Sequence, residues 1–103
     1  MAIQTSSPAL QPSVITKVLG LLSDSTKGHL DIIVTNTSTN TAVVDLFIST
    51  VSSPTAQHTI AKATLSEGEQ ILMSCLTIKA GEALYVRSTT SSVAIRATTI
   101  EGV

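Results

Sequence analysis

Hydrophobic and polar residues alternate along most of this chain with the two-residue period of β-strands that bury one face. The alternation is clearest in residues 29–36 and 42–50, which are joined by a polar run and are predicted to pair as a hairpin. Weaker versions of the pattern predict further strands at 14–22, 58–65, 71–78, 83–88 and 93–99. About seven strands predict an all-β fold, a single antiparallel β-sandwich of the jelly-roll or immunoglobulin-like type.

The two strands of the first predicted hairpin each have one apolar side. The side chains predicted to face the core are those of Leu30, Ile32, Val34, Val44, Leu46 and Ile48. Asp31, Asp45 and Phe47 then lie on the outer side. An outward Phe47 is predicted either to be covered by a loop or to belong to a contact surface.

Two Gly-Glu pairs, Gly68-Glu69 and Gly81-Glu82, hold equivalent places before two predicted strands. Glycine at such a place supplies a positive φ that other residues resist, so both glycines are predicted to lie in turns with positive φ. The strands from the first of these turns to the C-terminal end are predicted to form a meander, in which each strand pairs with the next.

The last predicted hairpin has a definite register, with Val86 opposite Ile95 and Leu84 opposite Ala97. One face of this hairpin is apolar and the other is mixed. A slip of one residue would turn an arginine towards the core, so burial should hold the register.

Residues 14–22 have apolar positions at helical spacing, but their β-branched residues and Gly20 favour a strand. Residues 58–65 are predicted as an edge strand. Lys62 on that strand would discourage pairing with other chains.

Residues 1–12 contain two prolines and few side chains that could enter a core. This composition predicts an extended N-terminal arm outside the sandwich domain, which then comprises residues 13–103. Such an arm is either a frayed terminus or a strap that becomes ordered on a neighbouring subunit.

Composition disfavours several classes of partner. The formal net charge is -1 and the six Lys and Arg residues are scattered from Lys17 to Arg96, which speaks against nucleic acid. Aromatic residues make up 2%, too few for a broad sugar-binding or base-stacking surface. No stretch has the length of a membrane span and no secretion signal is visible, so we expect no membrane partner and assembly in the cytoplasm.

No catalytic, cofactor-binding or metal-ligating residue is predicted, and we expect a protein that is not an enzyme. A metal site would need His29, Asp31 and a distant partner, because His58 is far along the chain. No Gly-x-Ser-x-Gly elbow or glycine-rich phosphate loop is present. Glu67 and Glu69 flank a turn glycine, where solvated carboxylates are routine.

The single cysteine, Cys75, excludes an internal disulfide and is predicted to be a buried strand residue. Asn36-Thr37-Ser38 fits the pattern of an N-glycosylation acceptor. Without a secretion signal, this triplet is predicted to be simply a turn.

The final third of the chain has a recognisable pattern. It reads Leu-Thr-Ile-Lys-Ala-Gly-Glu-Ala-Leu-Tyr-Val-Arg-Ser at 76–88, then Val-Ala-Ile-Arg at 93–96 and Ile-Glu-Gly at 100–102. This pattern resembles a family of small structural proteins from tailed bacteriophage particles. The block 29–75, with its Asn-Thr turn and its Gly-Glu turn, is similar to the same family.

The resemblance implies a β-sandwich located in the virion and brings no catalytic residues. Its leading implication is a decoration or cement protein that binds the major capsid protein on the head shell as a homo-oligomer, a trimer by analogy. The alternative that it implies is a protein of the tail or fibre, where a sandwich could bind a host receptor.

Overall fold

The computed structural model describes residues 2–21 and 27–101, except for the side chain of Ala2. Within these residues the chain forms eight β-strands and a short 3₁₀ turn at Ala56–His58. The strands are β1 (Ala2–Ser6), β2 (Thr16–Gly20), β3 (Lys27–Asn36), β4 (Ala42–Ser49), β5 (Thr59–Leu65), β6 (Gln70–Lys79), β7 (Ala83–Ser88) and β8 (Val93–Glu101). The all-β prediction is confirmed, with eight strands where about seven were predicted.

The strands form two antiparallel sheets of four strands, arranged as a sandwich. The first sheet has the order β1-β8-β3-β6 and the second sheet has the order β2-β7-β4-β5. Strands that follow each other along the chain therefore usually lie in opposite sheets. Within the described residues, β4 and β5 are the one consecutive pair joined in a ladder.

Both hairpins and the meander predicted from the sequence are wrong. Strand β3 pairs with β6 and β8, whereas β4 pairs with β5 and β7. Strands β7 and β8 also lie in different sheets, as do β6 and β7. Alternation shows which side of a strand faces the core. Two strands that face each other across the core satisfy it as well as two strands that are hydrogen-bonded neighbours.

The inner sides of the two sheets form one aliphatic core. Of the residues predicted to face inward, the fully buried ones are Leu30, Ile32, Val34, Val44 and Leu46, and Ile48 is partly buried. Val86 and Ile95 also belong to this core, but they reach it from opposite sheets instead of facing each other along a ladder.

The N-terminal segment is part of the sandwich and not an arm outside it. Strand β1 pairs with β8 from Ala2 opposite Glu101 to Ser6 opposite Ala97, and Leu10 lies in the core. The first proline follows this strand, so it ends the pairing without keeping the segment out of the sheet. Removing residues 1–12 would therefore remove an edge strand and a core side chain.

Strand β2 decides between helix and strand for residues 14–22. Thr16–Gly20 pairs with β7, and Val18 is the extra residue of a β-bulge. Val18 and Leu19 are consequently both buried, and these adjacent inward residues produce the spacing that resembles a helix. Residue 22 lies outside the described residues.

Strand β5 confirms the predicted edge strand, since it lies at the end of the second sheet. A second bulge leaves Ile60 without a partner on β4. This bulge lets both Ile60 and Ala61 pack against the core, while Lys62 is exposed.

Strand β6 shows that the prediction of a buried Cys75 is wrong. Ser74 and Cys75 together oppose Asp31 in a third bulge, and Cys75 is exposed with a φ of 59°. Its backbone N–H donates a hydrogen bond to Asp31 Oδ1 at 2.9 Å. The bulge shifts the inward positions by one residue, from Met73 before it to Leu76 after it.

The predicted conformation of the two Gly-Glu turns is confirmed. Gly68 has a φ of 79° and Gly81 has a φ of 83°. Each glycine is the third residue of a four-residue turn, and the residue before it has no positive φ, which is the arrangement of a type II turn.

The glutamate of each turn also has an equivalent role. Glu69 Oε1 accepts a hydrogen bond from the backbone N–H of Ser66 at 2.6 Å, and Glu82 Oε1 accepts one from that of Lys79 at 2.7 Å. A carboxylate bonded to a backbone N–H makes a relatively strong hydrogen bond. Each Gly-Glu pair therefore stabilises its turn, and the two carboxylates have a structural role.

We expect Gly81→Val to lower the free energy of unfolding by about 1 to 3 kcal/mol, since a β-branched side chain is penalised at positive φ. Apart from Gly81 and its two chain neighbours, no heavy atom lies within 4 Å of a Cβ at this position, so the cost comes from the local backbone conformation and not from contacts with the rest of the protein. The control is Ala80→Val, one residue earlier in the same exposed turn. Urea denaturation compares the two variants, and equal midpoints would contradict the role of Gly81.

Candidate docking surface

The outer side of the first sheet is the surface that carries Ile3, Ile33, Leu72 and Arg96, and we call it the open face. Ile33, Leu72 and Arg96 alternate along their strands with residues that pack in the core, so their side chains point away from the second sheet. Ile3 lies on the same side, because it is opposite Ile100, which alternates with core residues of β8. In the part of the chain that the structure describes, no strand or helix covers this surface.

An apolar pair lies on the open face where β3 and β6 meet. Ile33 and Leu72 are directly opposite each other in the ladder, and they are 45% and 65% exposed. Arg96 faces Ile33 from the other neighbouring strand, β8. The three side chains therefore form a row across three strands, with two exposed aliphatic groups beside one cation.

A second apolar position lies near the other end of the same face. Ile3 is 68% exposed, and its partner on β8 is the partly buried Ile100. Among the described residues, three of the five large hydrophobic side chains that are exposed lie on the open face. Scattered exposed aliphatic residues are ordinary, whereas several on one uncovered sheet indicate a contact surface.

A shallow hollow accompanies the apolar pair. Its volume is about 240 Å³, and the side chains around it include Ser7, Ile33, Thr35 and Arg96. Gln70 Nε2 donates a hydrogen bond to Thr35 Oγ1 at 3.1 Å, which fixes the polar side of the hollow. Arg96 forms no salt bridge with any residue that the structure describes.

The charges on the open face are mostly positive. Lys27 and Lys79 are directly opposite each other in the ladder at one end, and Arg96 lies nearer the other end. Asp31 is the acidic residue among the described side chains of this face, and one of its oxygens accepts from the Cys75 N–H. Lys27 and Lys79 repel each other, because like charges directly opposite in a ladder cost stability. Acidic groups of a partner would relieve this repulsion and complement the positive charge of the face.

The size of the open face is sufficient for a protein contact. Four strands about 4.8 Å apart, rising roughly 3.3 Å per residue, give it an area of about 500 Å². A standard protein–protein interface takes about 800 Å² from each partner. The open face could thus supply most of one side of such an interface.

The outer side of the second sheet does not offer a comparable surface. Phe47 is only 3% exposed and packs with Tyr85, Ala83 and Ile15 in a second apolar cluster. The Arg87 guanidinium lies 5.6 Å from the centre of the Phe47 ring. Phe47 is therefore covered mainly by side chains of β7, with Ile15 from the connection before β2, and it is not part of a contact surface.

Asp45 also points to this outer side, as predicted, but it is buried there. Arg87 Nη2 donates to Asp45 Oδ2 at 3.0 Å, and Arg87 Nε donates to the same oxygen at 3.2 Å. The ion pair closes the surface beside the aromatic cluster. This region therefore serves stability within one chain.

The structure does not bring the titratable residues considered from the sequence into one site. His29 and Asp31 share the open face on β3, whereas His58 ends the 3₁₀ turn and its Nδ1 accepts from the Thr55 N–H at 2.9 Å. Residues 2–21 and 27–101 contain no cluster of three His, Cys, Asp or Glu side chains able to hold a metal ion. Glu67 and Glu69 are exposed at their turn.

The chain matches no protein-family model and no curated protein. The resemblance to phage structural proteins accordingly stays a prediction. No helix in the described ranges is long and apolar enough to span a bilayer.

Proposed function

We propose that this protein is a non-enzymatic structural protein of a bacteriophage particle, a decoration or cement protein that binds the head shell through its open face. The exposed row of Ile33, Leu72 and Arg96 is the observation that carries this proposal. The sequence pattern of residues 76–102 resembles that of such proteins, and this resemblance supports a location in a phage particle.

The strand order supports a virion protein by analogy. The orders β1-β8-β3-β6 and β2-β7-β4-β5 correspond to an eight-stranded jelly roll, a fold used by viral capsid and lectin domains. Sugar recognition usually relies on exposed aromatic rings, and here both aromatic residues, Phe47 and Tyr85, are buried. The capsid type therefore fits this chain better than the lectin type.

The partner surface that fits the open face is flat, partly apolar and acidic. Ile33 and Leu72 would lose water on contact, which stabilises association by about 25 cal/mol for each Å² of apolar surface. Arg96, Lys27 and Lys79 would face the acidic groups of the shell protein. Because a shell repeats the same surface many times, one such contact suffices to decorate the whole particle.

We expect Leu72→Glu to weaken attachment to the shell at least about tenfold, a change of ~1.4 kcal/mol. The substitution removes an exposed apolar contact and adds a negative charge opposite an acidic partner. Variant and wild-type protein would be added to phage particles that lack this protein, and bound copies would be counted after sedimentation. The control is Val51→Glu, which changes a side chain that is 49% exposed in the connection after β4.

Equal binding of the Leu72 and Val51 variants would remove the open face from the proposal. A copy number far below that of the shell protein in intact particles would favour the alternative setting, the tail or a fibre. The homotrimer implied by the resemblance is a separate prediction, and the mass of the free protein in solution tests it.

A further inference from the structure

An uncovered edge strand offers unpaired N–H and C=O groups to any other strand. In this protein the edge strands are β1 and β6 of the first sheet and β2 and β5 of the second. Proteins protect such edges with bulges, which interrupt the row of hydrogen-bonding groups, and with charged side chains, especially lysine.

Three of these four edge strands have both forms of protection. Each contains a bulge and an exposed lysine, namely Val18 and Lys17 in β2, Ile60 and Lys62 in β5, and Ser74-Cys75 and Lys79 in β6. Strand β1 has neither. It pairs with β8 over five residues in unbroken register, and it carries no charged residue.

The free edge of β1 can be reached from solvent. A broad open cavity of about 490 Å³ lies between β1 and β2, beside Gln4, Thr5, Ser6 and Lys17. Gln4 Nε2 bridges this cavity with a hydrogen bond to the Gly20 carbonyl oxygen at 3.0 Å. Ile3 is 68% exposed on the same strand, so an added strand would cover an apolar side chain as well as backbone groups.

We propose that β1 pairs with β1 of a second copy of this protein, antiparallel and about a twofold axis. The other three edge strands of a second copy are protected, so its β1 is the strand available to pair with β1 of the first copy. A twofold contact needs only this one surface, because it uses the same residues on both sides. The strand is uncharged, so two copies of it do not repel each other.

Full overlap of the two strands places the axis at Gln4. Ile3 then lies opposite Thr5 of the second copy, on the open-face side of the sheet, and the two first sheets become one sheet of eight strands. This inference does not depend on the proposed docking to a shell, but it predicts a dimer of the free protein in place of the homotrimer that the resemblance implies. If both hold, the two open faces form one continuous docking surface.

The test is the mass of the free protein by sedimentation velocity over a range of concentrations. We expect a species of twice 10.7 kDa. The variant that combines Ile3→Lys with Thr5→Lys puts like charges opposite each other at both Ile3–Thr5 contacts, and it should raise the dissociation constant about tenfold or more. In the wild type, amide hydrogen exchange at residues 2–6 should slow as concentration rises.

The control is Leu72→Lys, which introduces the same charge at a side chain of similar exposure, 65%, on the far edge of the same face. It should leave the dimer intact. A monomer at all concentrations, a species of three chains, or a dimer that resists the double substitution would each overturn the proposal. Hydrogen exchange in the wild type tests the proposal even if the double variant fails to fold. Exchange rates at residues 2–6 that do not change with protein concentration would exclude pairing through β1.

Discussion

Val86→Asp should leave little folded protein. Val86 is fully buried in β7, where its neighbours in the ladders are Leu46 on β4 and Thr16 on β2. A carboxylate at this place has no partner within the aliphatic core, which costs several kcal/mol. A small domain has a total stability of about 5 to 15 kcal/mol. We therefore expect loss of soluble protein, or loss of the cooperative thermal transition in far-ultraviolet circular dichroism.

The matched control is Val51→Asp, because it makes the same chemical change at a half-exposed position outside the strands. Its carboxylate stays in water, and surface substitutions of this kind usually change stability by no more than about 0.5 kcal/mol. If the two variants melted at the same temperature, Val86 would not lie in the core and the inward side of β7 would have to be reassigned.

The inward side of β7 is an example of what the sequence predicts well. Strict alternation also identified Leu30, Ile32 and Val34 as core residues, since a polar group on that side would be penalised. The identity of the neighbouring strand is different, because it depends on how the connections run. The polar run after Asn36 has a length that suits a hairpin, yet it passes from one sheet to the other.

A bulge changes the phase of the apolar positions along a strand, and a search for regular alternation does not detect this change. In β6 the inward residues are Ile71 and Met73, and then Leu76 and Ile78, so the apolar period changes phase at Ser74-Cys75. A phase change within one strand is the signal of an extra residue. Reading the same stretch as one regular strand leads to the wrong expectation for Cys75.

The open face was missed because its residues stand inside fully apolar runs. Ile33 is the middle of Ile32-Ile33-Val34, and Leu72 is the middle of Ile71-Leu72-Met73. Such triplets suggest burial on both sides. Phe47 in Leu46-Phe47-Ile48 has the same pattern but is covered by its neighbours. The pattern thus indicates apolar outer positions, and only the packed chain shows which of them are covered.

Asn36 is a buried polar residue whose hydrogen bonds hold two connections, residues 37–41 and residues 66–69. Its Nδ2 donates to the carbonyl oxygens of Asn40 at 2.8 Å and Leu65 at 2.9 Å, and its Oδ1 accepts from the Ser38 N–H at 2.9 Å. Its backbone also bonds to the turn at Gly68 and Glu69. Asn36, the first residue of the triplet predicted to be a turn, therefore ends β3 and has its side-chain amide buried inside the fold.

Asn36→Asp should lower the free energy of unfolding by about 3 kcal/mol at neutral pH. The new side chain has nearly the same shape and keeps the acceptor for Ser38. The two donated hydrogen bonds are lost, however, and a carboxylate oxygen now faces the carbonyl oxygens of Asn40 and Leu65. Both carbonyl groups would be buried beside a negative charge, so repulsion adds to the loss of the bonds.

The destabilisation of Asn36→Asp should depend on pH. Burial and the nearby carbonyl dipoles disfavour the charged form, so the pKa of the new carboxyl is raised in the folded state above its unfolded value of about 3.9. The protonated form, which can donate one hydrogen bond again, dominates at low pH. The loss of stability should therefore be smallest below pH ~4 and should grow as pH rises towards the folded-state value.

Urea denaturation at several pH values measures this pH dependence. The control is Asn40→Asp, since that side chain is exposed. If the difference in the free energy of unfolding between the two variants stayed constant from acid to neutral pH, the carboxylate at position 36 would not be buried beside the two carbonyl groups.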